Sequence, residues 1–225
     1  MKETDMRKLL VMAFLVFSGT GAFAQLQQGN RALSGSVMLG RDESTQNVNN
    51  QEIKTINHLV LVNPAIGLFL KDNLEAGVGV SLAFTPGSGY SYNGDNPLLP
   101  HKSTGYGLAF TPYLKRYWKL TDQLYLTGMA AVTASYHLTK VRVPDSPALN
   151  TTGRGYYVGA SLSPGLNYFI SDHFSLATSL GLLGYSHSYT KTKGENLYSA
   201  TTDNQFSFSL IPKTYTFGIG YYFNR

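Results

Sequence analysis

Cysteine is absent from the 225 residues. That excludes disulfides, thiolate metal sites and a cysteine nucleophile. Many small domains outside the cytosol depend on disulfides, and this chain has none to depend on. Charge is scarce as well. Charged residues make up 14% of the chain, against about 25% in soluble domains, which is too few to cover a water-facing surface. The net charge of +5 is mild, and no Lys/Arg cluster with interleaved aromatics marks a nucleic-acid surface. Long apolar runs are also missing. The run Leu9–Phe17 falls well short of the roughly 20 residues that a membrane helix takes.

Glycine (23) and tyrosine (16) are abundant. Low charge, many aromatics, many glycines and no apolar 20-mer together fit a membrane β-barrel, whose alternating strands average to neutral hydropathy. The apolar run is read differently. Lys2, Arg7 and Lys8 precede it and Ala22-Phe23-Ala24 follow it, the pattern of a cleavable secretory signal. Cleavage is expected after Ala24, dividing the chain into a signal peptide at 1–24 and a barrel domain at 25–225. Glu3 and Asp5 are unusual in a basic leader, so Met6 is an alternative start to Met1.

A repeat organises the rest. Asn63-Pro64 to Leu74, Thr111-Pro112 to Leu124 and Ser163-Pro164 to Phe174 each run from a proline through an apolar-aromatic stretch to a short polar turn containing Asp. Pro212 continues the series, and the prolines recur about every 50 residues. Four such units suggest four hairpins. Strands are expected at 31–40, 55–70, 74–86, 104–119, 124–140, 153–170, 174–190 and 205–223, with no helix. The connections at 71–73, 120–123 and 171–173 are tight, whereas 41–54, 87–103, 141–152 and 191–204 read as long polar loops. The expected fold is all-β: an eight-stranded antiparallel up-and-down transmembrane β-barrel with short turns in the periplasm and long loops outside.

The side chains decide which face meets lipid. In the third strand Leu74, Ala76, Val78, Val80, Leu82 and Phe84 share one face, and Glu75, Gly77, Gly79, Ser81 and Ala83 share the other. The second face is small and mostly uncharged. It solvates an exterior poorly but fits the narrow interior of an eight-stranded barrel, so the bulky face is expected outside. A lumen filled by side chains leaves no wide pore. Tyr106, Tyr117, Trp118, Tyr136, Tyr168, Tyr185, Tyr221 and Tyr222 are candidates for the two aromatic girdles. Arg116 lies on the apolar parity near the periplasmic rim, where it can snorkel, and Glu75 and Lys115 are expected to form an internal ion pair. Because proline donates no ladder bond, a bulge or a missing ladder pair is expected at Pro64, Pro112 and Pro164, with a further bulge at Pro212–Thr214.

The chain end Tyr215-Thr216-Phe217-Gly218-Ile219-Gly220-Tyr221-Tyr222-Phe223 resembles the signal read by the barrel assembly machinery, with Asn224 and Arg225 added. Tyr215, Phe217, Gly218, Ile219, Gly220, Tyr221 and Phe223 carry that likeness, and a terminal strand can be read by β-augmentation. Residues 30–223 as a whole resemble the outer membrane protein beta-barrel domain family, akin to small OmpA/OmpX-type barrels of a kind common in the Bacteroidetes. The resemblance implies the outer membrane of a Gram-negative cell. The implied partners are outer-membrane lipid, lipopolysaccharide, periplasmic chaperones and the assembly machinery, with a monomeric barrel, no nucleic acid and no cofactor.

Some barrels of this size are lipid A deacylases or palmitoyltransferases. The nearest catalytic candidates are His187 and Ser188 with Glu195 in the following loop. A serine nucleophile needs a His base within reach and a carboxylate to orient it. Adjacent His187 and Ser188 point to opposite faces of a regular strand, so the expectation is no enzyme. His58, His101, His137 and His173 lie in separate elements without metal spacing. The leading expectation is a structural or loop-presenting barrel. A lipid A-modifying enzyme and an adhesin using loops 87–103 and 191–204 are the alternatives.

Overall fold

The computed structural model describes residues 26–48, 51–93, 96–195, 197–209 and 217–223. Among these described residues ten strands run antiparallel in one sheet. They are β1 (Arg31–Val48), β2 (Gln51–Lys71), β3 (Leu74–Asn93), β4 (Asn96–Lys119), β5 (Leu124–Arg142), β6 (Thr151–Phe169), β7 (Phe174–Ser179), β8 (Leu182–Gly194), β9 (Tyr198–Ser209) and β10 (Phe217–Phe223). β7 and β8 are two parts of a seventh strand, and β9 and β10 two parts of an eighth. β1 pairs with both β2 and β10, β10 with β7, β7 with β6 and β6 with β5, which closes a ring of eight strands at the end with the short turns. Among the described residues the one helical element is a 3₁₀ turn at Pro147–Leu149.

Alternation follows the expected parity. On β3 and β4, Leu82, Phe84, Tyr106, Leu108, Phe110 and Leu114 are exposed on the outside, and Glu75 is buried within. The chain is therefore a transmembrane β-barrel turned inside out relative to a soluble one. Closure leaves no unpaired ladder edge where the ring is complete, which replaces the missing disulfides as the source of cohesion.

The prolines break pairing as expected. Val62 pairs with Leu82 and Ala65 with Gly79, leaving Asn63 and Pro64 out of the β2–β3 ladder. Phe110 pairs with Ala134 and Tyr113 with Ala131, leaving Thr111 and Pro112 out of the β4–β5 ladder. At Pro164 the register slips: Gly165 faces Ser179 and Leu162 faces Leu183, so Ser163 and Pro164 stand against Leu180, Gly181 and Leu182. That is a bulge, and the Leu180 amide donates to the Pro164 carbonyl at 2.8 Å. Pro212 to Thr214 lie outside the described residues. The parity change expected there is visible on either side, since Phe206, Phe208, Phe217 and Ile219 are all exposed on the outer surface.

Two expectations need correction. The segments 41–54, 87–103 and 191–204 are not long loops. β1 and β2 pair out to Val48 and Gln51, β3 and β4 to Asn93 and Asn96, and β8 and β9 to Lys193 and Tyr198. Above the membrane both faces of a strand meet water, so hydrophobic alternation disappears while the ladder continues. A tilted strand crosses a bilayer in about 9–11 residues, and β4 has 24. Moreover, the lumen is not lined by small residues throughout. Its end near the short turns is filled by aromatic rings.

Candidate functional site

The short turns fix the floor of the barrel. Asn73 has φ 60° in the two-residue turn between β2 and β3, a left-handed conformation that Asn tolerates. Its amide donates to the Leu26 carbonyl at 2.7 Å, and the Gly29 amide to the Phe69 carbonyl at 2.9 Å. Gly29 (φ 89°) lets the chain turn there. The segment before β1 thus crosses beneath the mouth and buries Leu26.

Above Leu26, five rings form a closed circuit. Phe69 meets Tyr117 at 5.8 Å between centroids, Tyr117 meets Tyr125 at 6.4 Å and Tyr125 meets Phe169 at 5.4 Å. Phe169 meets Tyr222 at 5.0 Å, and Tyr222 returns to Phe69 at 6.2 Å. These are tilted and edge-on contacts of the favourable kind. The rings come from β2, β4, β5, β6 and β10, while β1, β3 and β7 supply Ala32, Glu75 and Ser175 at the same buried level. Tyr117 and Tyr222 belong to this floor and not to a girdle, because Trp118 and Tyr221 take the outward parity beside them. Trp118 is exposed, as are Tyr106 and Tyr185 higher up.

A polar network crosses the floor. Tyr113 and Tyr117 each donate a hydroxyl to one oxygen of the Glu75 carboxylate at 2.5 Å. The Tyr117 and Tyr222 hydroxyls lie 3.3 Å apart. Ser175 donates to the Asn167 side-chain oxygen at 3.2 Å and lies 3.4 Å from the Tyr222 hydroxyl. The expected Glu75–Lys115 ion pair is absent. The two are cross-strand partners, but the carboxylate is taken by tyrosine hydroxyls and the Lys115 ammonium sits 4.8 Å from the centre of the Tyr117 ring, a cation–π contact.

Glycines make room for these side chains. A Cβ on Gly67 would collide with the Glu75 carboxylate, and one on Gly77 with Tyr113. Immediately above the floor are two adjoining cavities of about 250 and 210 Å³ that share Ser34, Asn63, Lys115, Met129 and Tyr222. Ser, Thr and Asn side chains recur in walls that are otherwise largely apolar, and Asn63 donates its side-chain amide to the Ser36 hydroxyl at 3.1 Å. The site is a vestibule of mixed polar and apolar lining, closed at one end by the ring circuit.

The catalytic candidates are not brought together. His187 points outward and its Nδ1 lies 2.9 Å from Asn204 Oδ1, while Ser188 stands on the opposite parity and is paired with Asp203. Glu195 is exposed beyond the end of β8. Of the residues expected to resemble an assembly signal, Phe217, Gly218, Ile219, Gly220, Tyr221 and Phe223 lie in β10, which seals the ring between β1 and β7, and Tyr215 lies outside the described residues. Among the described residues no three His, Asp or Glu side chains cluster as metal ligands would. On the outer hairpins Glu43 bridges Lys54 at 2.5 Å and Arg41 at 3.0 Å. The Lys54 ammonium, through a hydrogen bond and its charge, holds the Glu43 carboxyl below its ordinary value.

A ring of eight antiparallel strands, bulky outside and plugged within, defines a small barrel of the outer-membrane kind. The chain belongs to the DUF3575 family, whose description is protein of unknown function and whose model matches residues 49–223. Solved structures similar to it include the outer membrane protein OprG from Pseudomonas aeruginosa, with 14% identity over 88% of this chain and 98% of that one and a TM-score of 0.48. Others are Ail, the attachment invasion locus protein of Yersinia pestis (12% identity, 88% and 100% covered, TM-score 0.35), and the outer membrane protease OmpT from Escherichia coli (11%, 91% and 99%, TM-score 0.37). A comparison with curated proteins gives no match.

Proposed function

We propose that this chain is a non-enzymatic barrel of the outer membrane, exported by a cleaved leader, which contributes to envelope integrity and presents its outer hairpins to partners. One observation carries this reading: the closed circuit of five rings across the lumen. A barrel shut at its periplasmic end by Phe69, Tyr117, Tyr125, Phe169 and Tyr222 conducts no solute of metabolite size. The outer half supplies what the lumen lacks. From Phe84 to Asn93 the β3 strand extends about 30 Å at roughly 3.3 Å per residue, and it pairs with β4 out to Asn93 and Asn96, a hydrogen-bonded platform for contacts outside the cell.

The geometry does not favour the enzyme reading, because His187 stands on the face opposite to Ser188 and lies beside Asn204. The barrel works as a monomer and depends on periplasmic chaperones and the assembly machinery during biogenesis. The test combines planar-bilayer recording with mass spectrometry of lipid A. The expected outcome is no stepwise conductance from the purified protein and unchanged lipid A acylation in a deletion strain. Steady single-channel conductance, or altered acylation, would overturn the proposal.

A further inference from the structure

We propose that the outside of the barrel carries a seat for one glycerophospholipid of the periplasmic leaflet: an apolar groove along β5 ending at the Arg116 guanidinium. This rests on the membrane placement above and goes beyond it by naming a ligand and a place.

Most outward positions carry Leu, Val, Phe or Tyr. Along β5 the outward series is Leu126, Gly128, Ala130, Val132, so the surface is hollow in its middle. Leu114 forms one wall, and Leu162 and Pro164 form the other. Two outer cavities of about 420 and 560 Å³ share Leu114, Ala130 and Leu162 and so form one groove. The ladder pair lost at Pro112 lies along the same wall. From Leu126 to Val132 the strand rises about 20 Å, the reach of one extended acyl chain.

The lower end of the groove is charged. Arg116 is exposed on the outward parity, and its Nη1 donates to the Asp72 carbonyl at 3.2 Å in the short turn. Among the described residues no carboxylate lies within ion-pair distance of it. A guanidinium at the interface, at the mouth of an apolar groove, matches a phosphate above an acyl chain. Trp118 lies across Gly128, where a Cβ would stand 2.9 Å from its ring, and places an indole at headgroup height. The short-turn rim selects the periplasmic leaflet. A second copy docked here by two-fold symmetry would bring Arg116 towards its own counterpart, which disfavours that occupant.

The test uses the full mature chain released from micelles containing phosphatidylglycerol and, separately, diacylglycerol, with bound lipid counted by native mass spectrometry. The unsubstituted barrel is expected to retain one phosphatidylglycerol. Ala130→Phe, which fills the groove, is expected to cut retention at least fivefold. Arg116→Gln is expected to lower the preference for phosphatidylglycerol over diacylglycerol at least threefold. Val60→Phe on a distant strand is expected to change neither. Equal retention by Ala130→Phe, no retention by the unsubstituted chain, or a dimer that Ala130→Phe dissociates would overturn the proposal. Should Ala130→Phe fail to fold, phosphatidylglycerol with a photoreactive tail reads the unsubstituted chain. Cross-links concentrated on Leu114, Ala130 and Leu162 support the seat, and an even spread around all eight strands overturns it. A mature protein that stays monomeric in water without detergent would instead remove the membrane placement itself.

Discussion

The carboxylate of Glu75 lies over Gly67 on the neighbouring strand, in the space a methyl group would occupy. The floor of the barrel therefore depends on a glycine that makes no side-chain contact of its own. Gly67→Ala is expected to destabilise the folded barrel by about 1–3 kcal/mol, the usual cost of overpacking, as measured by urea unfolding in lipid vesicles. Combined with Glu75→Ala, the loss is expected to be smaller than the sum of the two, because they share one clash. Additive losses would show that the contact does not matter.

Tyr117 tests the network and the plug separately. Tyr117→Phe keeps the ring and removes the hydroxyl, leaving one Glu75 oxygen without its buried donor, at an expected cost of about 1–3 kcal/mol. Tyr117→Ala also opens the ring circuit and leaves a cavity. It is expected to cost about 3–5 kcal/mol and to raise the leak of small ions from vesicles, which Tyr117→Phe does not. Equal leak from both variants would count against the circuit as the seal.

The turn between β4 and β5 gives a pH-dependent signature. Lys119 bridges Asp122 at 2.8 Å, and its hydrogen bond and charge hold the Asp122 carboxyl below its ordinary value. The stabilisation is complete above the unfolded carboxyl's pKa and fades as pH falls through the depressed folded value. Lys119→Ala is expected to return the Asp122 titration, followed by carboxyl NMR, towards the ordinary range. Both groups are exposed, so added salt is expected to shrink the shift in the unsubstituted protein.

His187→Ala and Ser188→Ala are each expected to leave lipid A acylation and barrel stability near their starting values, since the two side chains lie on opposite sides of the wall. His187→Ala does lose the Asn204 contact, at an expected cost of less than about 1.5 kcal/mol. A change in acylation with Ser188→Ala would revive the enzyme reading.

The membrane-embedded parts of this fold were legible in the sequence because the two faces differ in kind. Leu82 and Phe84 against Ser81 and Ala83 leave one choice of outside. Pro64, Pro112 and Pro164 announced their interruptions because a missing amide has the same consequence in any ladder. The floor was harder to see, since tyrosine serves at an interface and in a packed lumen alike. Parity separates Tyr117 from Trp118 and Tyr222 from Tyr221, and it is the signal that finds the plug. The outer hairpins were missed because Thr85-Pro86-Gly87-Ser88-Gly89 carries loop-like composition where neither face needs to be apolar. The Glu75–Lys115 pairing was right in register and wrong in chemistry, because two tyrosine hydroxyls reach the carboxylate.

The absence of cysteine allows a direct test of the central claim. Single substitutions Val78→Cys, Gly79→Cys, Val80→Cys, Ser81→Cys and Leu82→Cys, made one at a time, walk across consecutive positions of β3. In vesicles, Gly79→Cys and Ser81→Cys are expected to react with a water-soluble maleimide entering from the open end of the lumen. Val78→Cys, Val80→Cys and Leu82→Cys are expected to react only with a reagent dissolved in the bilayer. Aqueous labelling of the even positions, or labelling without alternation, would contradict a barrel that turns its bulky side chains to lipid.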